Sequence, residues 1–145
     1  MIEKAVKDVN LQLTYRKDMQ ILFLRWTAGV KGDQLRRGYL EALDFAKELN
    51  SSFWMFDLRG RGGASAEDEQ WILEDFFPKA DLELGGQNSF AYLLSPSHYL
   101  YIKDTVGEDR LDIFSGPSKI KIFMAEAEAV KWLLEQKELI LLPKK

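Results

Sequence analysis

From Val9 to Arg16 the chain alternates, with Val9, Leu11, Leu13 and Tyr15 apolar and Asn10, Gln12, Thr14 and Arg16 polar. A period of two predicts a strand with one buried face. Lys17-Asp18 can turn the chain into residues 19–26, MQILFLRW, where the unbroken Ile21-Leu22-Phe23-Leu24 run predicts burial on both faces. The two segments read as an N-terminal hairpin. The period then changes. Leu35, Tyr39, Ala42, Ala46 and Leu49 form one stripe of a helix over residues 33–49, with Asp33 as the expected N-cap and Asn50 as the stop. Gly38 inside that helix costs up to about 1 kcal/mol relative to alanine, an expense that close backbone packing would explain.

Phe53–Leu58, FWMFDL, has the length and apolarity of a central strand. A glycine-rich loop follows, then a helix from about residue 66 to 80 whose stripe is Ile72, Leu73, Phe76, Phe77 and Ala80. Trp71 lies about a quarter turn off that stripe, which leaves it exposed. Leu84-Gly85-Gly86 with Asn88 reads as a loop, and residues 89–94, SFAYLL, as a strand ended by Ser95-Pro96. Tyr99 to Ile102 fit a helical turn or two, and Ser115-Gly116-Pro117 marks a turn. Residues 119–123, KIKIF, alternate again, with Lys119 and Lys121 outward. The last helix spans about 125–137 and carries Ala129, Val130 and Leu133 on one face. The apolar tail ELILLPKK is expected to pack on the body or on a partner. This order predicts one α/β domain over residues 1–145, a mixed sheet of about five strands with helices mainly on one face.

Composition narrows the function classes. The 145 residues are 46% hydrophobic and 30% charged, a globular balance. With no cysteine and one histidine, His98, disulfides, thiolate chemistry and multi-histidine metal centres fall away; no cofactor is expected. Net charge is −3 and the basic residues are scattered, which argues against nucleic acid. The start MIEKAVKDVN lacks the apolar core of a signal peptide. No run approaches the roughly 18 apolar residues of a membrane span. The expectation is a cytoplasmic protein, taken to be bacterial.

Several features together resemble a known family: the two-strand start closed by Trp26, FDLRG at 56–60, a helix beginning near a serine, and the EAVKWL segment ending at Leu133. The chain resembles the SpoIIAA-like proteins of the STAS superfamily of anti-sigma-factor antagonists, sometimes grouped with CRAL-TRIO lipid-transfer domains. The resemblance implies a regulatory domain. In that family an Asp-Ser pair followed by glycine sits at the strand-to-helix junction, and a partner kinase phosphorylates the serine. Ser65 stands near that position, with Ala64 in place of the aspartate, and Ala66 and Glu67 where small residues would stand.

Residues 56–71, FDLRGRGGASAEDEQW, hold most of the candidate chemistry. Ser65 and Asp68 have capping-box spacing; the other reading is a regulatory serine whose phosphate would meet Glu67, Asp68 and Glu69 and loosen the loop. Gly60 to Ser65 precede a helix, where amides can cradle a phosphate, yet neither GxGxxG nor GK[ST] is present. Three carboxylates already complement the helix end while Arg59 and Arg61 pull the other way; a tight, mobile turn is the simpler reading. A lone RGG unit is weak as an RNA signal. Asp57 fits a salt bridge to Arg59 or Arg61, or a hydrogen bond to loop amides, better than a general base or Mg²⁺ ligand. His98 reads as a surface or helix-start residue, since GxSxG is absent. Tyr99, Tyr101, Phe114 and Trp71 could line an apolar pocket, or simply be core.

Three readings follow. The first is a non-enzymatic regulatory or adaptor domain. Its protein partner would contact the 59–65 loop and the next helix through Asp57, Arg59, Arg61, Ser65 and Trp71, and it could form a homodimer by an edge strand or the tail. The second is a carrier or sensor of a small apolar or lipid-like ligand. The third is an enzyme using Asp57 and a loop arginine.

Overall fold

The structure is a computed structural model and describes residues 1–85, 87–105 and 118–141. The strands are β1 Ile2–Val6, β2 Leu11–Arg16, β3 Ile21–Trp26, β4 Phe53–Asp57, β5 Ser89–Leu93 and β6 Lys119–Phe123. They form one sheet in that same order. β1, β2 and β3 are antiparallel neighbours, and β3 to β6 run parallel. The mixed α/β fold is as expected, but with six strands rather than five. The extra one is β1, an edge strand of which only Val6 is buried. Lys4 occupies the place between Ile2 and Val6 where a buried face would want an apolar residue, and it reaches Glu41 at 3.2 Å.

The helices are α1 Gly32–Leu49, α2 Ala66–Trp71, α3 Phe77–Leu84, α4 Pro96–Thr105 and α5 Glu126–Leu141. A widened π turn, Ile72–Phe76, joins α2 to α3, with the Phe77 N–H reaching back to the Ile72 carbonyl. Pro78 follows at once; it cannot donate to the preceding turn, and the wider ring accommodates it. The combined rod ends at Leu84, later than the expected residue 80, where Gly85 takes φ 66°. α1 begins one residue after Lys31, which makes no side-chain cap, and stops at Asn50 in the left-handed conformation. Asp33 therefore lies inside the first turn, and a carboxylate from α2 supplies the cap: the Gly32 N–H donates to Asp68 Oδ2 at 3.0 Å.

Alternation along β3 divides the core. Leu22, Leu24 and Trp26 face α1, α2 and α3 beside Trp54, Phe56, Phe90 and Tyr92, whereas Ile21 and Phe23 face α5 with Met55, Ala91 and Leu93. Parallel neighbours joined in sequence by right-handed crossovers put their helices on one side of a sheet, and Ile102 of α4 joins the α1 side accordingly. Among the described residues α5 alone covers the other face, through Ala129 and Leu133. It runs to Leu141, past the expected 137, and leaves Leu139 and Ile140 exposed. Phe114, the Ser115-Gly116-Pro117 turn and the last four residues of the tail lie outside the described residues. No helix among the described residues is long and apolar enough to cross a membrane.

Candidate functional site at the carboxyl ends of the parallel strands

Open parallel sheets present their ligand-binding loops beyond the carboxyl ends of the strands. Here that edge carries two polar clusters and a cleft. In the first cluster, Arg25 at the end of β3 stands in register with Asp57 at the end of β4. Arg25 Nη1 lies 2.6 Å from Asp57 Oδ2 and 3.0 Å from Glu126 Oε1 at the start of α5. Arg59 closes the ring. Its Nε and Nη2 donate to Asp57 at 2.9 and 3.0 Å, its backbone N–H donates to Asp57 Oδ1, and its Nη2 reaches Glu126 at 3.2 Å. Burial alone would raise the Asp57 carboxyl, but the Arg59 hydrogen bonds and the Arg59 and Arg25 charges outweigh it and hold the group below its ordinary value. A carboxylate so held is a poor proton acceptor near neutrality. Of the two arginines proposed for Asp57, the ring uses Arg59; Arg61 turns away.

Arg61 is the centre of the second cluster. The turn after β4 is tight, with the Arg61 and Gly62 amides both donating to the Leu58 carbonyl, at 3.1 and 2.9 Å, and Gly62 at φ 77°. Its side chain, 1% exposed, enters the core. The guanidinium lies 5.2 Å from the Trp26 ring centre and 5.7 Å from that of Tyr39. Nη1 donates to the Tyr39 hydroxyl at 3.0 Å, which pairs with the Tyr92 hydroxyl at 3.0 Å. Nη2 faces Glu69 Oε1 at 4.0 Å, and the same oxygen accepts the Ala64 N–H. Burial pushes the Glu69 carboxyl up, while the Arg61 charge and the Ala64 amide pull it back. Arg61 is thus an internal anchor of the loop and not part of its outer surface.

Outer contacts hold the loop from both sides. A methyl group on Gly60 would collide with the Trp26 carbonyl, and one on Gly63 would fall 2.6 Å from the Tyr101 ring. Tyr101 of α4 also donates its hydroxyl to the Ala64 carbonyl. Ser65 caps α2 as expected, its Oγ accepting the Asp68 N–H at 3.1 Å. The box is only half made, because Asp68 turns to Gly32 and Arg36. Glu67 pairs with Arg36 as well, at 3.6 Å. All three acidic residues of the first turn therefore point towards α1 or the core. Trp71, expected to be exposed, is half-buried: it packs at 6.0 Å from both Tyr39 and Phe76, beneath the Arg36 guanidinium.

Between Gly62–Ser65 and the first turn of α4 opens a cleft of about 430 Å³. Ser95 caps α4, its Oγ accepting the His98 N–H at 3.2 Å and its carbonyl accepting the Tyr99 N–H. His98 does stand at the helix start but is buried, only 3% exposed. Neither ring nitrogen has a hydrogen-bond partner among the described residues. Burial, aided by the Arg61 charge, lowers its pKa to about 4. Of the aromatics considered for an apolar pocket, Tyr101 borders this cleft while Trp71 and Tyr99 pack on the core.

On the other face, a groove of about 750 Å³ runs between α5 and the first strands. Met19, Phe23, Val130 and Leu134 line it, and charges of both signs stand along it, Arg16 and Lys131 with Glu135 and Glu138. Among the described residues no group of three or more acidic or histidine side chains could hold a metal ion. Sequence reasoning passed over Arg25 and Glu126, read Tyr39 only as part of a helix stripe and placed Glu69 only at the helix end. Arg25 did carry a signal, being the one charge in an otherwise apolar strand, on the face of Ile21 and Phe23. Matched against protein-family models, curated proteins and solved structures, the chain has no significant match.

Proposed function

We propose that this chain is a cytoplasmic STAS-like regulatory or adaptor domain that binds a partner protein through the loop after β4 and the outer face of α2. The observation that carries the reading is the pinning of that loop. Arg61 holds it from within, the Trp26 carbonyl and the Tyr101 ring pack closely on its backbone, and the Asp57–Arg25–Arg59–Glu126 ring fixes its root. A loop ordered before binding loses less entropy on association, and it presents Arg59, Ser65 and Glu67, all exposed, in a fixed arrangement. The strand-end carboxylates are neutralised by arginines, which favours recognition over proton transfer. Arg61→Ala would disturb the core, so the test uses exposed residues. Affinity purification with the Glu67→Lys/Gln70→Glu variant, both exposed on α2, should lose a partner that wild type and a distant-surface control, Lys17→Glu, both retain. Identical partner sets would contradict the reading.

A second reading has one observation in its favour, the 750 Å³ groove with its apolar floor. It suits a small apolar or lipid-like ligand. Native mass spectrometry of freshly purified protein would reveal such a passenger as added mass, and a bare mass would count against it.

A further inference from the structure

We propose that α5 is a latched cover: it swings off the sheet as a unit while the rest of the fold stays closed, and Glu126 of the arginine ring is its latch.

Three observations converge on it. The sheet separates the two cores, and the α1-side and α5-side clusters share no residue. Lifting α5 therefore uncovers Phe23, Met55, Ala91 and Leu93 and leaves the α1-side packing in place. The two faces are also held unequally. α1 buries Leu35, Tyr39, Ala42, Leu43, Phe45 and Ala46. Between Glu126 and Ile140, α5 fully buries Ala129 and Leu133 alone, with Val130 and Trp132 half-buried. Opening free energies follow the apolar contact that is lost, so α5 opens before α1. Finally, the charged ties sit at one end. Glu126 Oε1 meets Arg25 Nη1 at 3.0 Å and Arg59 Nη2 at 3.2 Å, the ion pairs that join α5 to the rest of the chain among the described residues. Farther along, Lys119 meets the Gln136 side chain at 3.2 Å and Lys137 the Met19 carbonyl at 3.5 Å, both neutral acceptors. Met124 and Ala125, exposed between β6 and α5, supply the pivot.

Opening changes the strand ends as well as the sheet face. Asp57 keeps Arg25 and Arg59 when Glu126 leaves, so the root of the loop survives. Two arginines then share one carboxylate, and this edge gains a net positive charge that it lacks while α5 is closed.

The chain has no cysteine, so a single introduced thiol reports the opening. Ala91→Cys places one beneath α5, and Ala42→Cys places one equally buried in the α1-side core. Under native conditions a thiol reagent should label position 91 at least about tenfold faster than position 42. Urea should speed both, more steeply at position 42, until the two rates merge at global unfolding. Glu126→Gln should speed labelling at position 91 by about two- to tenfold. Should Ala91→Cys fail to fold, Met55→Cys in the same core replaces it. Equal rates at the two positions, a rate at position 91 that ignores urea, or one that ignores Glu126→Gln would each overturn the proposal.

Discussion

Replacing Arg61 by methionine fills most of the side chain's volume and deletes its charge, so the change reads the charge more than the packing. Two losses follow. The Tyr39 hydroxyl loses a charged donor at 3.0 Å, worth about 1.5–3 kcal/mol. Glu69 loses a counter-charge at 4.0 Å, about 4 kcal/mol at the effective dielectric suited to such pairs. The two overlap, and cutting one partner from a buried ion pair costs about 3–5 kcal/mol, which is the expected drop near neutral pH. Glu69 sets the pH dependence. Its carboxyl is already raised in the folded protein by burial, with Arg61 opposing, and removing Arg61 raises it further. An acid with a raised folded value favours folding when protonated. The deficit should therefore be smallest in acid and grow as pH rises through that value, by at most about 1.4 kcal/mol per pH unit for one proton. Urea midpoints at about pH 5 and about pH 8 measure this, and adding Glu69→Gln should recover part of the loss at the higher pH. A deficit under about 1 kcal/mol that ignores pH would refute the argument.

Two further outcomes follow from the loop and its root. Gly63→Ala sets a methyl group against the Tyr101 ring and should cost about 1–3 kcal/mol by denaturation; in contrast, Gly38 has ordinary room beside Trp26, so Gly38→Ala should be neutral or stabilising by up to about 1 kcal/mol. Asp57 is held below its ordinary carboxyl value of 3.8 because the Arg59 hydrogen bonds and the arginine charges overcome its burial. Its contribution is complete above that value and is lost as pH falls through the lower folded one. Wild-type stability should decline in that acid window, and Asp57→Asn, less stable at neutral pH, should show a shallower decline there.

Much of the fold was legible because burial writes its period into the chain. The two-faced run of β3, the half-buried alternation of β2 and the stripe of α1 each fix an element from local pattern alone. β1 was missed because an edge strand buries little, and Lys4 interrupts what alternation it has. The Ser65 cap could be read locally, since its partner lies three residues on. Its other half could not, because Asp68 serves the start of α1, thirty-six residues earlier. The direction of Arg61 was hidden for the same reason. A glycine-flanked arginine looks external until Tyr39, Tyr92 and Glu69 are brought together from three separate elements. His98 carried no signal in its neighbours that it would be buried.

Amide hydrogen exchange across residues 58–65 tests the central claim, that the loop is held in one arrangement before any partner arrives. The amides of Arg61 and Gly62, bonded to the Leu58 carbonyl, and that of Ala64, bonded to Glu69, should exchange far more slowly than an unstructured peptide. Exchange at the unprotected rate at all three would contradict it.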